Sequence, residues 1–203
     1  MDENTKDGAS VEDAWKVLET SYPFRDEWLV VRSDRVLLPD GTILPAYHTI
    51  ENADWVSCIA ITPVFEVVLI EQYRHSVRRL ITEFPAGSVD AHDESPLAAM
   101  KRELLEETGY ASDDWHLIGS AIANPARQTN TAYAFLALGA KQVSRPALEE
   151  GELIRTQLMP WALFRDRITS GLLRIPAQHV ACLFWLHTFV AQRKIPTLAG
   201  LSF

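Results

Sequence analysis

Three glutamates, Glu103, Glu106 and Glu107, crowd five consecutive positions of the stretch "AGSVDAHDESPLAAMKRELLEETG", Ala86–Gly109. At i, i+3 and i+4 they share one flank of a helix. Carboxylates this close repel, by about 4 kcal/mol for a pair near 4 Å at an effective dielectric of about 20. A cation is therefore expected among them. Hard divalent ions such as Mg²⁺ or Mn²⁺ prefer oxygen ligands and keep several waters, which suits such a cluster better than Zn²⁺ would. Arg102 lies one turn from Glu106, placed to orient a carboxylate. An acidic run alone is usually a solvated face, but this one follows "EFPAG" and stops at Gly109.

The element carrying the cluster is legible from its ends. Ser95 and Pro96 make a good cap and first turn, and Gly109 is the usual C-terminal stop. Leu97, Ala98, Met100, Leu104 and Leu105 are expected on the packing side, with the glutamates opposite. Before this helix run strand-like stretches, "EWLVVRSDRVLL", "AYHTI", "DWVSCIAIT" and "FEVVLIEQYR". After it come "WHLIGSAIA", "TAYAFLALGA" and "LIRTQLM", then the helical "PWALFRDRITSG" and "AQHVACLFWLHTFVAQRK". This order predicts an α/β fold, a mixed sheet sandwiched between helices (α/β/α), with a small N-terminal antiparallel β region. The expected organisation is a polar tail over 1–13, an N-terminal β region over 14–54 serving as subdomain or dimerisation arm, and the main domain over 55–203.

With 203 residues, 47% of them hydrophobic, the chain can bury a sizeable core. A net charge of −8 argues against sequence-independent binding to nucleic acid or to an anionic membrane, so neither is an expected partner. An anionic substrate would need cations to hold it. No apolar run approaches the roughly 18 residues of a membrane span, and "MDENTKDGAS" does not read as a signal peptide, so a cytoplasmic location is expected. Cys58 and Cys182 lack metal spacing and suit a reducing compartment. A P-loop, a dinucleotide-binding glycine fingerprint, a nucleophile elbow and zinc spacing are not found.

Taken together the residues resemble the Nudix hydrolases, whose signature is G-x5-E-x7-R-E-U-x-E-E-x-G-U with U apolar. Gly87, Glu94, Arg102, Glu103, Leu104, Glu106, Glu107, Gly109 and Tyr110 match it, Tyr110 loosely. Six residues rather than five separate Gly87 from Glu94, so either Asp93 or Glu94 fills the first acidic place. "DWVSCIAIT", "VVLIEQYRHSV" and "LITEFPAG" are similar to the ADP-ribose pyrophosphatase branch, which acts on nucleoside diphosphate sugars.

The resemblance implies a site. Glu103 and Glu107 would be metal ligands, with Glu106 a ligand or assistant and the Ala86 backbone carbonyl a further one. Glu83 would lie near metal or substrate, and Arg74 would grip a phosphate in a guanidinium fork. His75, Arg78 and Arg79 are explained equally well as solvated surface. The general base would come from the late acidic loop "ALEEGELIR", with Glu150 favoured over Glu152. In "NPARQTNTAY" Ala126 and Thr131 stand where relatives often carry glycine and an acid, so Arg127 and Asn130 are the candidates there for a terminal phosphate or sugar. The implied activity is Mg²⁺-dependent hydrolysis of the pyrophosphate bond of a nucleotide sugar, ADP-ribose giving AMP and ribose 5-phosphate, in a homodimer. GDP-mannose, a dinucleoside polyphosphate or a nucleoside triphosphate is the alternative substrate, and a silent nucleotide-sugar sensor the alternative role.

Overall fold

The computed structural model describes residues 14–148, 151–193 and 200–201. They fall into two compact units: the chain up to Asn52 with Asn124–Asn130, and Ala53–Ala123 with the chain from Thr131 onward.

The smaller unit is an antiparallel sheet of β1 (Lys16–Arg25), β2 (Val30–Leu37) and β3 (Ile43–Glu51), in that order. The β1–β2 turn is held by Asp26, whose carboxylate accepts the Trp28 and Leu29 N–H groups at 2.8 and 2.7 Å. Arg32 of β2 pairs along its own strand with Asp34 and across to Glu51 of β3. Pro23 sits in β1 where the register shifts between Ser21 and Phe24, a place an edge strand tolerates. The segment 124–130 is pinned to β3, because Ile50 N–H donates to the Arg127 carbonyl at 2.7 Å and the Tyr47 hydroxyl to that of Ala126 at 2.9 Å.

The larger unit contains β4 (Trp55–Ile61), β5 (Glu66–Arg74), β6 (Arg79–Glu83), β7 (Ala86–Ser88), α1 (Pro96–Thr108), β8 (Tyr110–Ala111), β9 (Asp114–Ile122), β10 (Thr131–Leu138), β11 (Lys141–Gln142), β12 (Ile154–Pro160), α2 (Trp161–Thr169) and α3 (Ala177–Arg193). Its sheet runs β12-β5-β4-β10-β9, with β6 added to β5 and β7 to β4. β10 lies parallel to β4 and the other pairs are antiparallel, so the sheet is mixed.

The period-2 alternation of the central strands separates two cores. Ile59 and Ile61 of β4 pack with Phe164 of α2 and Leu186 of α3. Val56, Cys58 and Ala60 face the other way, onto Met100 and Leu104 of α1. Buried on both faces, β4 reads as a continuous apolar run, and the unit is an α/β/α sandwich. Among the described residues no helix is long and apolar enough to cross a membrane.

The ends of α1 follow its sequence. The Ser95 hydroxyl accepts the Ala98 N–H at 3.1 Å, Pro96 opens the first turn, and Gly109 takes the left-handed conformation (φ 74°) while donating to the Leu105 carbonyl. Its faces do not. Leu105 is exposed, whereas Ala99, Met100, Leu104, Glu107 and Thr108 are buried. At 100° per residue Glu107 falls between Ala99 and Leu104, in the middle of the buried arc. The helix thus turns part of its acidic flank into the protein.

Candidate active site

The close approach of α1 to β7 begins with a missing side chain. A Cβ on Gly87 would collide with the Glu103 carboxylate, so only glycine lets that group rest on the strand. One turn further along α1, Glu107 is 4% exposed and its Oε2 accepts the Ala86 N–H at 3.0 Å. Burial pushes the Glu103 carboxyl up to about 6 and that of Glu107 up to about 9. For Glu107 the Ala86 N–H opposes the shift, and the nearby charges of Glu103 and Glu152 add to it.

Arg102 stands beside this pair as a hub. Its Nη1 donates to Glu103 at 2.9 Å and to Glu106 at 3.0 Å, its Nη2 to Asp93 at 2.9 Å and to the Ser88 carbonyl at 3.2 Å. Of the two acids left open by the extra loop residue, Asp93 makes the contact, and Arg102 lowers its pKa; Glu94 is exposed. Asp90, His92 and Asp93 bring ligand atoms within 4.8 Å of one another, but both aspartates already pair with the Arg102 guanidinium.

Arg74 and Glu83 meet directly. The guanidinium grips the carboxylate through Nε, at 3.1 and 3.0 Å, and through Nη2, at 2.5 Å. Gln72 donates to the same carboxylate at 3.0 Å. Glu83 is 4% exposed, and Nη1 of Arg74 is left without a hydrogen bond among the described residues. Behind this pair His179 of α3 fixes the backbone between β6 and β7: its Nδ1 accepts the Phe84 N–H at 3.2 Å. Burial, with Arg74 nearby, depresses that imidazole to about 3, so it is neutral and not a cation for the site.

The candidates from sequence are thus partly assembled. Arg102, Glu103, Glu106 and Glu107 of α1, Ala86 of β7, and the Arg74–Glu83 pair all lie in the larger unit. Glu152, exposed just before β12, is near enough for its charge to act on Glu103 and Glu107, while Glu150 lies outside the described residues. Arg127 and Asn130 belong to the smaller unit. There Arg127 donates to the His48 carbonyl at 3.4 Å, and Asn130 is buried with no partner for Oδ1 among the described residues. The roles of Gly87 and Gln72 emerge only from the structure. The alternation of β5 offered a signal for Gln72, which shares a strand face with Arg74.

The donor set is all oxygen, and two of its carboxylates are held in surroundings that disfavour their charge. To be ionised near neutral pH a buried acid of this kind needs a compensating cation, and Arg102 bonds Glu103 but not Glu107. A hard divalent ion fits that deficit.

A family model described as the NUDIX domain matches residues 51–176. The chain belongs to the NUDIX family. A second model, the nucleoside diphosphate sugar hydrolase N-terminal domain, matches residues 15–50 ahead of the Nudix domain. Over 131 residues this Nudix protein is 30% identical to an ADP-ribose pyrophosphatase of Mycobacterium tuberculosis, covering 64% of this chain and 62% of that one. It is 29% identical over 140 residues to a methanol dehydrogenase activator of Bacillus methanolicus, 68% of this chain and 75% of the relative. The crystal structure of an ADP compounds hydrolase superposes with a TM-score of 0.76 at 20% identity, covering 88% of this chain and 95% of that one, a likeness of fold.

Proposed function

We propose that this protein hydrolyses the pyrophosphate bond of a nucleoside diphosphate sugar, with ADP-ribose, giving AMP and ribose 5-phosphate, as the favoured substrate. The observation that carries the reading is the buried Glu107 carboxyl beside Glu103, set against β7 and bonded to no cation among the described residues. Glu103 and Glu107 would hold Mg²⁺, with Mn²⁺ as a substitute, assisted by Glu106 and the Ala86 carbonyl. Bound there, the ion supplies charge neutralisation for the diphosphate and acidifies a water.

The remaining work falls to the chain. Arg102 fixes the Glu103 and Glu106 carboxylates, so their oxygens are in place before substrate arrives. Arg74 is held by Glu83 and directs its unused Nη1 donors to a phosphate oxygen. A late acidic residue, Glu150 or Glu152, accepts the proton of the attacking water, whose oxygen ends on one of the two phosphates released. The binding of a polyanion by a chain of net charge −8 then rests on local positive charge.

The larger assembly follows the same reading. β1 is exposed along all ten residues, Val17, Tyr22 and Phe24 among them, an apolar surface that a second copy would cover in a homodimer. The domain organisation is taken as an N-terminal region over 14–54 and a catalytic domain over 55–203. The free, buried Cys58 and Cys182 suit work in the cytoplasm.

The test is a panel of ADP-ribose, GDP-mannose, a dinucleoside polyphosphate and a nucleoside triphosphate with Mg²⁺ and product identification, repeated with Glu103→Gln and Glu107→Gln. Release of AMP and ribose 5-phosphate, reduced by about two to four decades in each variant, is expected. Undiminished turnover in both variants would remove the mechanism.

A further inference from the structure

A cavity of about 400 Å³ opens beyond the Arg74–Glu83 pair, between the β5–β6 hairpin and the amino end of α3. Three arginines line it, Arg74, Arg79 and Arg174, against a single acidic residue, Glu83. That carboxylate already serves Arg74. Arg79 and Arg174 are exposed and have no ion-pair partner among the described residues. Pro176 and Gln178 also line it, so the cavity borders the positive end of the 17-residue α3, which has no acidic residue in its first turn.

The hairpin carries local costs that a simple turn would avoid. Arg74 and Arg79 are directly opposite one another in the β5–β6 register, an arrangement of like charges that destabilises a strand pair. Between them Arg78 adopts φ 54°, a conformation that bulky residues seldom take. Such costs gather where a loop has a ligand to hold. Val77 at the tip, with Ile81, gives the cavity an apolar lining between the charges, suited to the body of a sugar or nucleoside.

We propose that this cavity is an anion subsite, and that Arg79 and Arg174 are specificity-determining residues favouring nucleotide sugars that carry a phosphomonoester or carboxylate outside the scissile pyrophosphate. The inference rests on the hydrolase reading and adds to it the chemistry of the preferred substrate. Arg74 serves the pyrophosphate; the two unpaired guanidiniums and the helix end serve the additional anionic group.

Matched pairs differing by that one group test it: ADP-ribose against ADP-ribose 2′-phosphate, and UDP-glucose against UDP-glucuronate. In at least one pair kcat/KM should favour the more anionic member by about tenfold or more, the scale of one charge-assisted contact. The double variant Arg79→Gln/Arg174→Gln should bring that ratio close to one while keeping its melting temperature. Ile175→Glu, which adds a carboxylate to the cavity wall, should do the same. Parity within both pairs in the wild-type protein overturns the inference. So does an equal loss for both members in the double variant, which would assign these arginines to the pyrophosphate itself. If neither these four compounds nor GDP-mannose is turned over with Mg²⁺ or Mn²⁺, the nucleotide-sugar hydrolase reading fails. Calorimetric Kd values for the same pairs then decide the subsite by the same tenfold ratio, and parity there overturns it too.

Discussion

Replacing Gly87 by alanine should separate stability from catalysis. The new methyl would overlap the Glu103 carboxylate, leaving Oε2 at 2.6 Å where ordinary contact begins near 3.4 Å. The carboxylate must therefore retreat by about 1 Å. It is the far end of a flexible side chain, and Gly87 is not among the positive-φ residues, so the fold should lose only about 1 kcal/mol. For a chain of this length that is a fall of about 2–4 °C in melting temperature. Misplacing a ligand by about 1 Å at the reacting centre can cost on the order of 10²-fold in rate, so kcat/KM should drop by about that factor and half-saturation by Mg²⁺ should move upward. Thermal melts and a metal titration of nucleotide-sugar turnover on the same preparation are the assay. Wild-type turnover with a wild-type metal response would refute the claim that glycine is there for Glu103. Melting more than about 10 °C lower would reduce the effect to simple unfolding.

Other perturbations test neighbouring links. Because burial raises the Glu107 carboxyl to about 9, the folded protein binds that proton more tightly than the unfolded chain does. Without metal, its contribution to stability should fall as pH rises from about 4.5 toward 9; the melting temperature of wild type minus that of Glu107→Gln should decrease across this window and flatten when Mg²⁺ is added. Arg102→Lys keeps a charge but cannot span Asp93, Glu103 and Glu106, so urea denaturation should show a loss of about 1–3 kcal/mol and turnover should fall at least about tenfold. Gly109→Ala meets both a φ of 74° and the Ser144 carbonyl; it should cost at least about 2 kcal/mol, a drop of roughly 4–8 °C by scanning calorimetry.

The span of α1 was readable because its stops are chemical: a serine that caps, a proline that opens a turn and a glycine free to take a positive φ. Its buried face was not. Hydrophobic periodicity places Leu105 inside and Glu107 outside, and the structure reverses both, since α1 lies close enough to β7 for the buried Glu107 carboxylate to accept the Ala86 N–H. The extra loop residue leaves Asp93 and Glu94 indistinguishable in the sequence; in the structure Arg102 contacts Asp93. The sequence does not show that Arg74 and Glu83 pair, because their union depends on the β5–β6 register, which a one-residue slip would change. β1 is not legible as a strand in the sequence because its polar residues and Pro23 are those of an edge strand.

The Arg102 fork makes the spacing between β7 and α1 elastic. A guanidinium with five donors on a long stem can gather whichever acid the intervening segment delivers, so insertion of one residue shifts the partner without moving the glutamates beyond it. Segment length in this part of the chain is therefore free to drift, while the spacing from Arg102 to Glu107 is held by helical geometry and has no such slack.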